Sequence, residues 1–316
     1  MAAKEWLKSS LGRGVQLVTM QGAWERRHQH NVELAIAATI AGESFKRIRY
    51  PVEYVEFLRA CSEHTSYSIR DVKADTAGAD SAANRFATLL DVLQSGAPPI
   101  DIHVAQDIGQ IADEFRCLTD PLDHDHWSGD VGLHFALSSG LARTGRILTC
   151  IIRYMRSERC LELGTAYGTS AAFMLEALKS RGDAGRLATV EPAEPQFTLA
   201  STLLERRYGG RVSCHRGLSY EVIPSIVQSL QRVDFMFHDA SHTGEDFIRD
   251  FDAVEPALAP GAVVMFDDIH WDSHWNNSRF FQGEARTYEG WMQIVRHQRV
   301  RRAVEMSDTM GMLLLR

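Results

Sequence analysis

Two groups of residues in this chain have types and spacings suited to chemistry. The first is Glu162-Leu-Gly164-Thr165-Ala166-Tyr167-Gly168-Thr-Ser170, within the stretch 159–178. It reads as a short buried strand carrying a carboxylate, a glycine turn, and a helix whose apolar face holds Ala171, Phe173, Met174, Ala177 and Leu178. Glycine can take positive φ and has no Cβ to obstruct an approaching ligand. A helix N-terminus with free N–H groups just beyond a strand end suits a nucleotide-type ligand. The spacing lacks the third glycine of the dinucleotide fingerprint, which argues against a nicotinamide oxidoreductase. Read without a ligand, the same residues make a tight turn in an α/β protein.

The second group is a set of acids that close three later strands. Glu191 ends Leu-Ala-Thr-Val-Glu, where a carboxylate can accept two hydrogen bonds from vicinal ribose hydroxyls. Asp239 ends an apolar run inside His238-Asp-Ala-Ser-His242, and the pair Asp267-Asp268 ends another run 28 residues later. His242, at the start of the following helix, can take a proton near neutral pH. The alternative for Asp239 and Asp267 is capping of nearby helix N-termini, and for His242 a capping or surface role.

The glycine motif resembles the first motif of the class I S-adenosylmethionine (SAM) dependent methyltransferases, in which the turn lies beside the methionine part of the cofactor. That resemblance implies a cofactor site made of Glu162, Gly164, Thr165, Ala166, Tyr167, Gly168 and Ser170. It also implies Glu191 as ribose ligand, Gly217, Leu218 and Ser219 beside the adenine, and Asp239 at the reacting end. Glu162 orders the turn from the strand side. Leu218 stands where an acid is common in the family.

The stretch Asp-Phe-Met-Phe-His-Asp-Ala-Ser-His, a helix, then Leu-Ala-Pro-Gly-Ala-Val-Val-Met-Phe-Asp-Asp-Ile-His-Trp is similar to a bacterial family of metal-dependent O-methyltransferases related to catechol and sugar O-methyltransferases. The tail from Tyr288 through Met310-Gly-Met-Leu-Leu-Leu is similar to that family's last helix and hairpin. In such a sheet the strands carrying Asp239 and Asp267 are neighbours. Three converging carboxylates repel one another unless a cation shares them. The resemblance thus implies Asp239, Asp267 and Asp268 as ligands of a divalent cation, Mg²⁺ ahead of Mn²⁺ or Ca²⁺, with His242 as general base and Asp239 beside it. Ala240 and Ser241 depart from the family's usual glycine and acid, and His238 replaces an apolar residue.

The elements that must position these groups follow from periodicity. Strands are expected at 187–191, 211–215, 233–239 and 261–267, with helices at 194–208, 220–230, 243–258 and 284–297. A closing hairpin is expected from 303–306 and 310–315. Short apolar strands separated by helices predict a mostly parallel seven-stranded Rossmann-like sheet with a C-terminal antiparallel hairpin, and function at the strands' carboxyl ends. Residues 133–154 read as a helix or helix pair. Residues 1–125 read as a mostly helical extension, a cap or an oligomerisation region, with helices near 31–41, 51–61 and 82–93. The methyltransferase domain would occupy 126–316. His124, His126 and Trp127 could line the substrate entrance. His270, Trp271, His274 and Trp275 could stack on an acceptor or pack against the last helix.

The 316 residues carry 45% hydrophobic and 24% charged side chains and a net charge of −7, which fits a globular protein and argues against nucleic acid as a partner. The basic cluster at 296–302 reads as a solvated face. Five scattered cysteines without a C-x-x-C suit a reducing compartment. With no apolar run long enough for a membrane span and no apolar leader at the N-terminus, a cytoplasmic protein is expected. The whole predicts an enzyme moving the methyl of SAM to a hydroxyl of a small molecule (sugar, phenol or natural product) with a divalent cation; self-association through the extension is compatible with it. The alternatives are a metal-independent N- or O-methyltransferase of the same fold and a non-catalytic SAM-binding partner protein.

Overall fold

Short apolar strands alternate with helices through most of the chain, and this alternation builds one mixed sheet. The structure, a computed structural model, describes residues 63–74, 80–101, 104, 139–271, 286–306 and 309–316. Among them the elements run β1 (Ile69–Lys73), α1 (Ser81–Gly96), α2 (Ser139–Met155), β2 (Arg159–Leu163), α3 (Thr169–Lys179), β3 (Arg186–Glu191), α4 (Glu194–Tyr208) and β4 (Val212–Arg216). They continue with α5 (Ser219–Leu230), β5 (Val233–His238), α6 (Gly244–Val254), β6 (Leu258–Phe266), α7 (Thr287–Val295), β7 (Val300–Met306) and β8 (Met310–Leu315). The eight strands lie in the order β1-β7-β8-β6-β5-β2-β3-β4.

The five strands from β4 to β6 are parallel, while β8, β7 and β1 add antiparallel pairings at one side. Helices cover both faces of the parallel part, so Cys160, Leu161, Leu163, Leu187, Ala188, Val190, Phe235, Met236 and Phe237 are all 2% exposed or less. This explains why these strands read as continuous apolar runs rather than alternating ones. The chain moves outward from β2 to β3 and β4, then returns to place β5 on β2's other side. The crevice beyond the tips of β2 and β5 is therefore the topological switch point, where ligands of open α/β sheets bind.

The sheet has eight strands rather than the expected seven, and the extra one comes from a segment read as helical. β1 is only five residues long and half-exposed, so its own periodicity is weak. Distant partners fix it: it pairs antiparallel with β7, Arg302 Nε donates to Asp71 Oδ1 at 2.9 Å, and Arg70 pairs with Glu305. Lys73 Nζ donates to the carbonyls of Val295 and His297. Residues 64–99 and 144–316 form one compact unit, and residues 1–63 and 100–143 the other. The expected helix at 82–93 is present as α1, with Asp80 Oδ1 accepting from the N–H groups of Ala82 and Ala83 at 2.9 Å.

Two strands begin earlier than expected. β6 starts at Leu258, ahead of Pro260 and Gly261, which read locally as breakers; the irregular pairing with β5 and Gly261 at φ +78° accommodate them. β7 starts at Val300 because its first residues pair with the end of β8, Val300 opposite Leu315; β1 joins from Ala303 on. Expectations for 31–41, 51–61, 124–127, 133–138 and 274–275 lie outside the described residues. No helix among the described residues is long and apolar enough to cross a membrane.

Candidate active site

β2 ends at Leu163, whose carbonyl accepts the Asp239 N–H at 2.8 Å, while Gly164 and Thr165 both donate to the Val190 carbonyl at 3.0 Å. The turn is thus stitched to β5 on one side and β3 on the other. Gly164 has φ +96°, and a Cβ there would lie 1.9 Å from the Asp239 carbonyl oxygen. This glycine answers first to the β5 tip, not to an approaching ligand. Gly168, at φ +86°, caps α3 without a side chain, so no side chain occupies the first-turn N–H groups. Those amides suit a polar ligand group.

Glu191 holds the turn from β3. Its Oε2 accepts the Ala166 N–H at 2.7 Å and its Oε1 the Ala193 N–H at 2.9 Å. The first bond holds Ala166 at φ +44°, a conformation that costs a non-glycine residue energy. Each carboxylate oxygen keeps a second lone pair, so ribose hydroxyls remain within its capacity. Glu162 is fully buried beneath the turn and accepts the Thr189 hydroxyl at 2.5 Å. Burial pushes its carboxyl up to about 7, against the opposing pull of the Ser170 and Thr189 hydroxyls. Thr165, Tyr167 and Ser170 are buried as well.

After β4, Gly217 takes φ +147° and donates to the Glu191 carbonyl at 3.3 Å, tying this turn to the end of β3. Leu218 is 43% exposed. The Ser219 hydroxyl turns inward instead and donates to Asp250 Oδ1 at 2.8 Å.

The acids meet at the tips of β5 and β6. One ligand atom each from Asp239, His242 and Asp268 lies within 4.8 Å of the other two. His242 Nδ1 is 3.8 Å from Asp268 Oδ2, and the ring stacks on Trp271 with centroids 4.1 Å apart and planes at 16°. Asp268 sits at φ +53° and donates its N–H to Asp267 Oδ1 at 2.8 Å. Asp267 Oδ1 thus faces its neighbour's amide, while His242 stands with Asp239 and Asp268.

Burial, then the charges of Asp267, Asp268 and Glu162, hold the Asp239 carboxyl well above the usual range. Burial and Asp268 push Asp267 up to about 7. Burial, with His238 adding to it, lowers His242 to about 4, so this imidazole is neutral at physiological pH. Crowded carboxyls from Asp239 and Asp268 offer oxygen ligands that fit a divalent cation, with a neutral imidazole beside them.

His270 and Trp271, which follow β6 within the described residues, pack on the protein itself. Trp271 covers His242, and His270 stacks on Tyr288 of α7 at 4.6 Å. Sequence reasoning missed the partner of His238, which is Asp250, twelve residues on and on α6. Only an acid on the inward face of that helix hinted at it.

Residues 161–269 match a family model described as a methyltransferase domain. No curated protein matches the chain. Among solved structures, cofactor-bound Rv0187 from MTB aligns with a TM-score of 0.50 at 17% identity, covering 76% of this chain and 99% of that one. The O-methyltransferase from Bacillus cereus in complex with SAH aligns at 0.49 and 19% identity, over 66% of this chain and 91% of that one. The SAM complex of TomG, an O-methyltransferase from Streptomyces achromogenes involved in tomaymycin synthesis, aligns at 0.46 and 22% identity, over 55% and 80%. The sheet order is that of a Rossmann-like class I methyltransferase fold, and residues 161–269 carry a methyltransferase domain within it.

Proposed function

We propose that this enzyme transfers the methyl group of SAM to a hydroxyl oxygen of a small molecule (a phenol, a catechol or a sugar), with a divalent cation held by Asp239 and Asp268. The observation that carries this reading is the convergence of Asp239, His242 and Asp268 at adjacent strand tips, next to the glycine turn. A methyltransferase acting on a pre-formed nucleophile has no need to crowd raised-pKa carboxyls there. When bound, the cation supplies Lewis acidity toward the acceptor hydroxyl, and SAM supplies the electrophilic methyl.

The chain's own residues do the rest. Glu191 and the 164–168 turn hold the cofactor's ribose and methionine ends, and Asp239 lies at the turn's edge against the Gly164 backbone. His242, neutral at pH 7, accepts the hydroxyl proton, and Asp268 at 3.8 Å stabilises the imidazolium that results. Asp267 fixes the positive-φ backbone of Asp268 through its N–H. Trp271 keeps the His242 ring oriented and shields it from water on one face.

The test is methyl transfer from labelled SAM to a panel of phenols, catechols and sugars, with and without EDTA. Transfer to oxygen is expected, abolished by EDTA, restored by Mg²⁺ or Mn²⁺, and lost by at least about a hundredfold in His242→Ala with Mn²⁺ affinity retained. Turnover indifferent to EDTA and to Asp268→Asn would overturn the cation's role. Loss of Mn²⁺ binding in His242→Ala would make this residue a ligand rather than the base.

A further inference from the structure

Behind the strand tips a buried polar chain runs from the β4–α5 turn through α6 to β5. Ser219, the first residue of α5, donates to Asp250 Oδ1 at 2.8 Å, and Asp250 Oδ2 lies 3.2 Å from His238 Nε2. Asp250 and His238 are both completely buried. Phe247 meets the His238 ring edge-on at 4.9 Å and Phe266 stacks on it at 5.3 Å. Arg249 Nε also reaches Asp250 Oδ1 at 3.4 Å; its guanidinium pairs with Asp246 and lies 4.6 Å from the Tyr220 ring centroid. Two successive residues at the start of α5 are thereby tied to two successive residues of α6.

Burying an aspartate and a histidine carries a desolvation cost that an apolar contact between the same elements avoids. What polar pairing adds is a fixed geometry, because each bond has one length and direction. The chain's ends explain where that geometry matters. One end is the 217–219 turn, which presents the exposed Leu218 beside Glu191's strand. The other is His238, whose next residue is Asp239. The two walls of the cleft, three strands apart, share one anchor on α6.

We infer that Asp250 is a positioning residue that sets the 217–219 turn against the β5 tip and so fixes the width of the cofactor cleft. This rests on the reading of that cleft as the SAM site. Asp250 is fully buried and its oxygens are taken by Ser219, Arg249 and His238, so it acts on the cofactor only through them.

The test is calorimetric titration of S-adenosylhomocysteine (SAH) into the full-length protein and its variants, alongside their melting temperatures. Asp250→Ala and Ser219→Ala should each weaken SAH binding by about five- to tenfold, and the double variant should be no weaker than Asp250→Ala, since both break one chain. Asp250→Asn, which can still accept from Ser219, should stay within about twofold of wild type. A purely structural role predicts lower melting temperatures with unchanged SAH affinity, or additive losses, and either result overturns the inference. If Asp250→Ala fails to fold, Ser219→Ala decides, because its half-buried hydroxyl can be removed without opening a cavity; unchanged affinity there counts against the brace. Wild-type protein that does not bind SAH overturns the cofactor reading and the inference with it, whereas wild-type binding that survives in the variants overturns the brace alone.

Discussion

Asp239 shows how a single side chain carries both cost and use. Its carboxyl is raised by burial and by Asp267, Asp268 and Glu162, and Asp267 is itself pushed up to about 7. Both folded-state pKa values lie above the unfolded value of about 3.9. The folded state therefore holds more protons than the unfolded state between those values, and stability falls as pH rises toward 7 and beyond. Removing one charge relieves the repulsion. In the absence of divalent ions, Asp239→Asn should melt higher than wild type at pH 8, with a smaller gap at pH 5. Wild type should be stabilised by Mn²⁺ and the variant should not. A variant that melts lower than wild type at pH 8 with EDTA would contradict the electrostatic account. The acids and the glycine motif were legible in the sequence because their spacing is local. The positive φ of Asp268 and the turn of the Asp267 carboxylate onto the next amide were not, because neither leaves a mark in the residue pattern.

At the scale of elements, α6 carries much of the arrangement, since His242 immediately precedes its N-terminal turn and Asp250 lies on its buried face. Thr243 caps it, accepting the Asp246 N–H at 3.1 Å. Its first residue, Gly244, packs directly on α7: a Cβ on Gly290 would lie 2.5 Å from Gly244 Cα, and one on Gly244 would lie 2.2 Å from the Arg286 carbonyl oxygen. Backbone cannot yield as a side-chain tip can. Gly290→Ala should destabilise the protein by about 1–3 kcal/mol despite alanine's better helix propensity, read by urea unfolding. Gly210→Ala, with nothing within 4 Å of its Cβ, should stay within about 0.5 kcal/mol. Equal effects would show that the close α6–α7 approach imposes no constraint. The parallel strands and their helices could be read from apolar periodicity alone. β1 could not, because its place is set by Glu305, Arg302 and the carbonyls of Val295 and His297 at the end of α7, all more than 220 residues away.

At the scale of the molecule, strand order turns scattered residues into a site. Parallel crossovers put every β2–β6 tip on one edge, and the reversal between β2 and β5 opens a crevice there. The glycine turn, Glu191 and Asp239 fall on that edge because they end strands, and Asp268 joins them because β6 is β5's neighbour. At the other side β1 pairs with the far edge of β7, leaving the hairpin's outer strand covered by chain rather than open to other strands. The central claim is that this edge holds a cofactor and a cation side by side. Diffraction from crystals grown with SAH and Mn²⁺, recorded at the manganese absorption edge, tests it most directly. The account predicts SAH lying over the 164–168 turn with its ribose on Glu191, and one anomalous peak between Asp239 and Asp268 beside His242. Bound SAH with no anomalous peak among those three residues, or SAH seated away from the β2 and β5 tips, would contradict it.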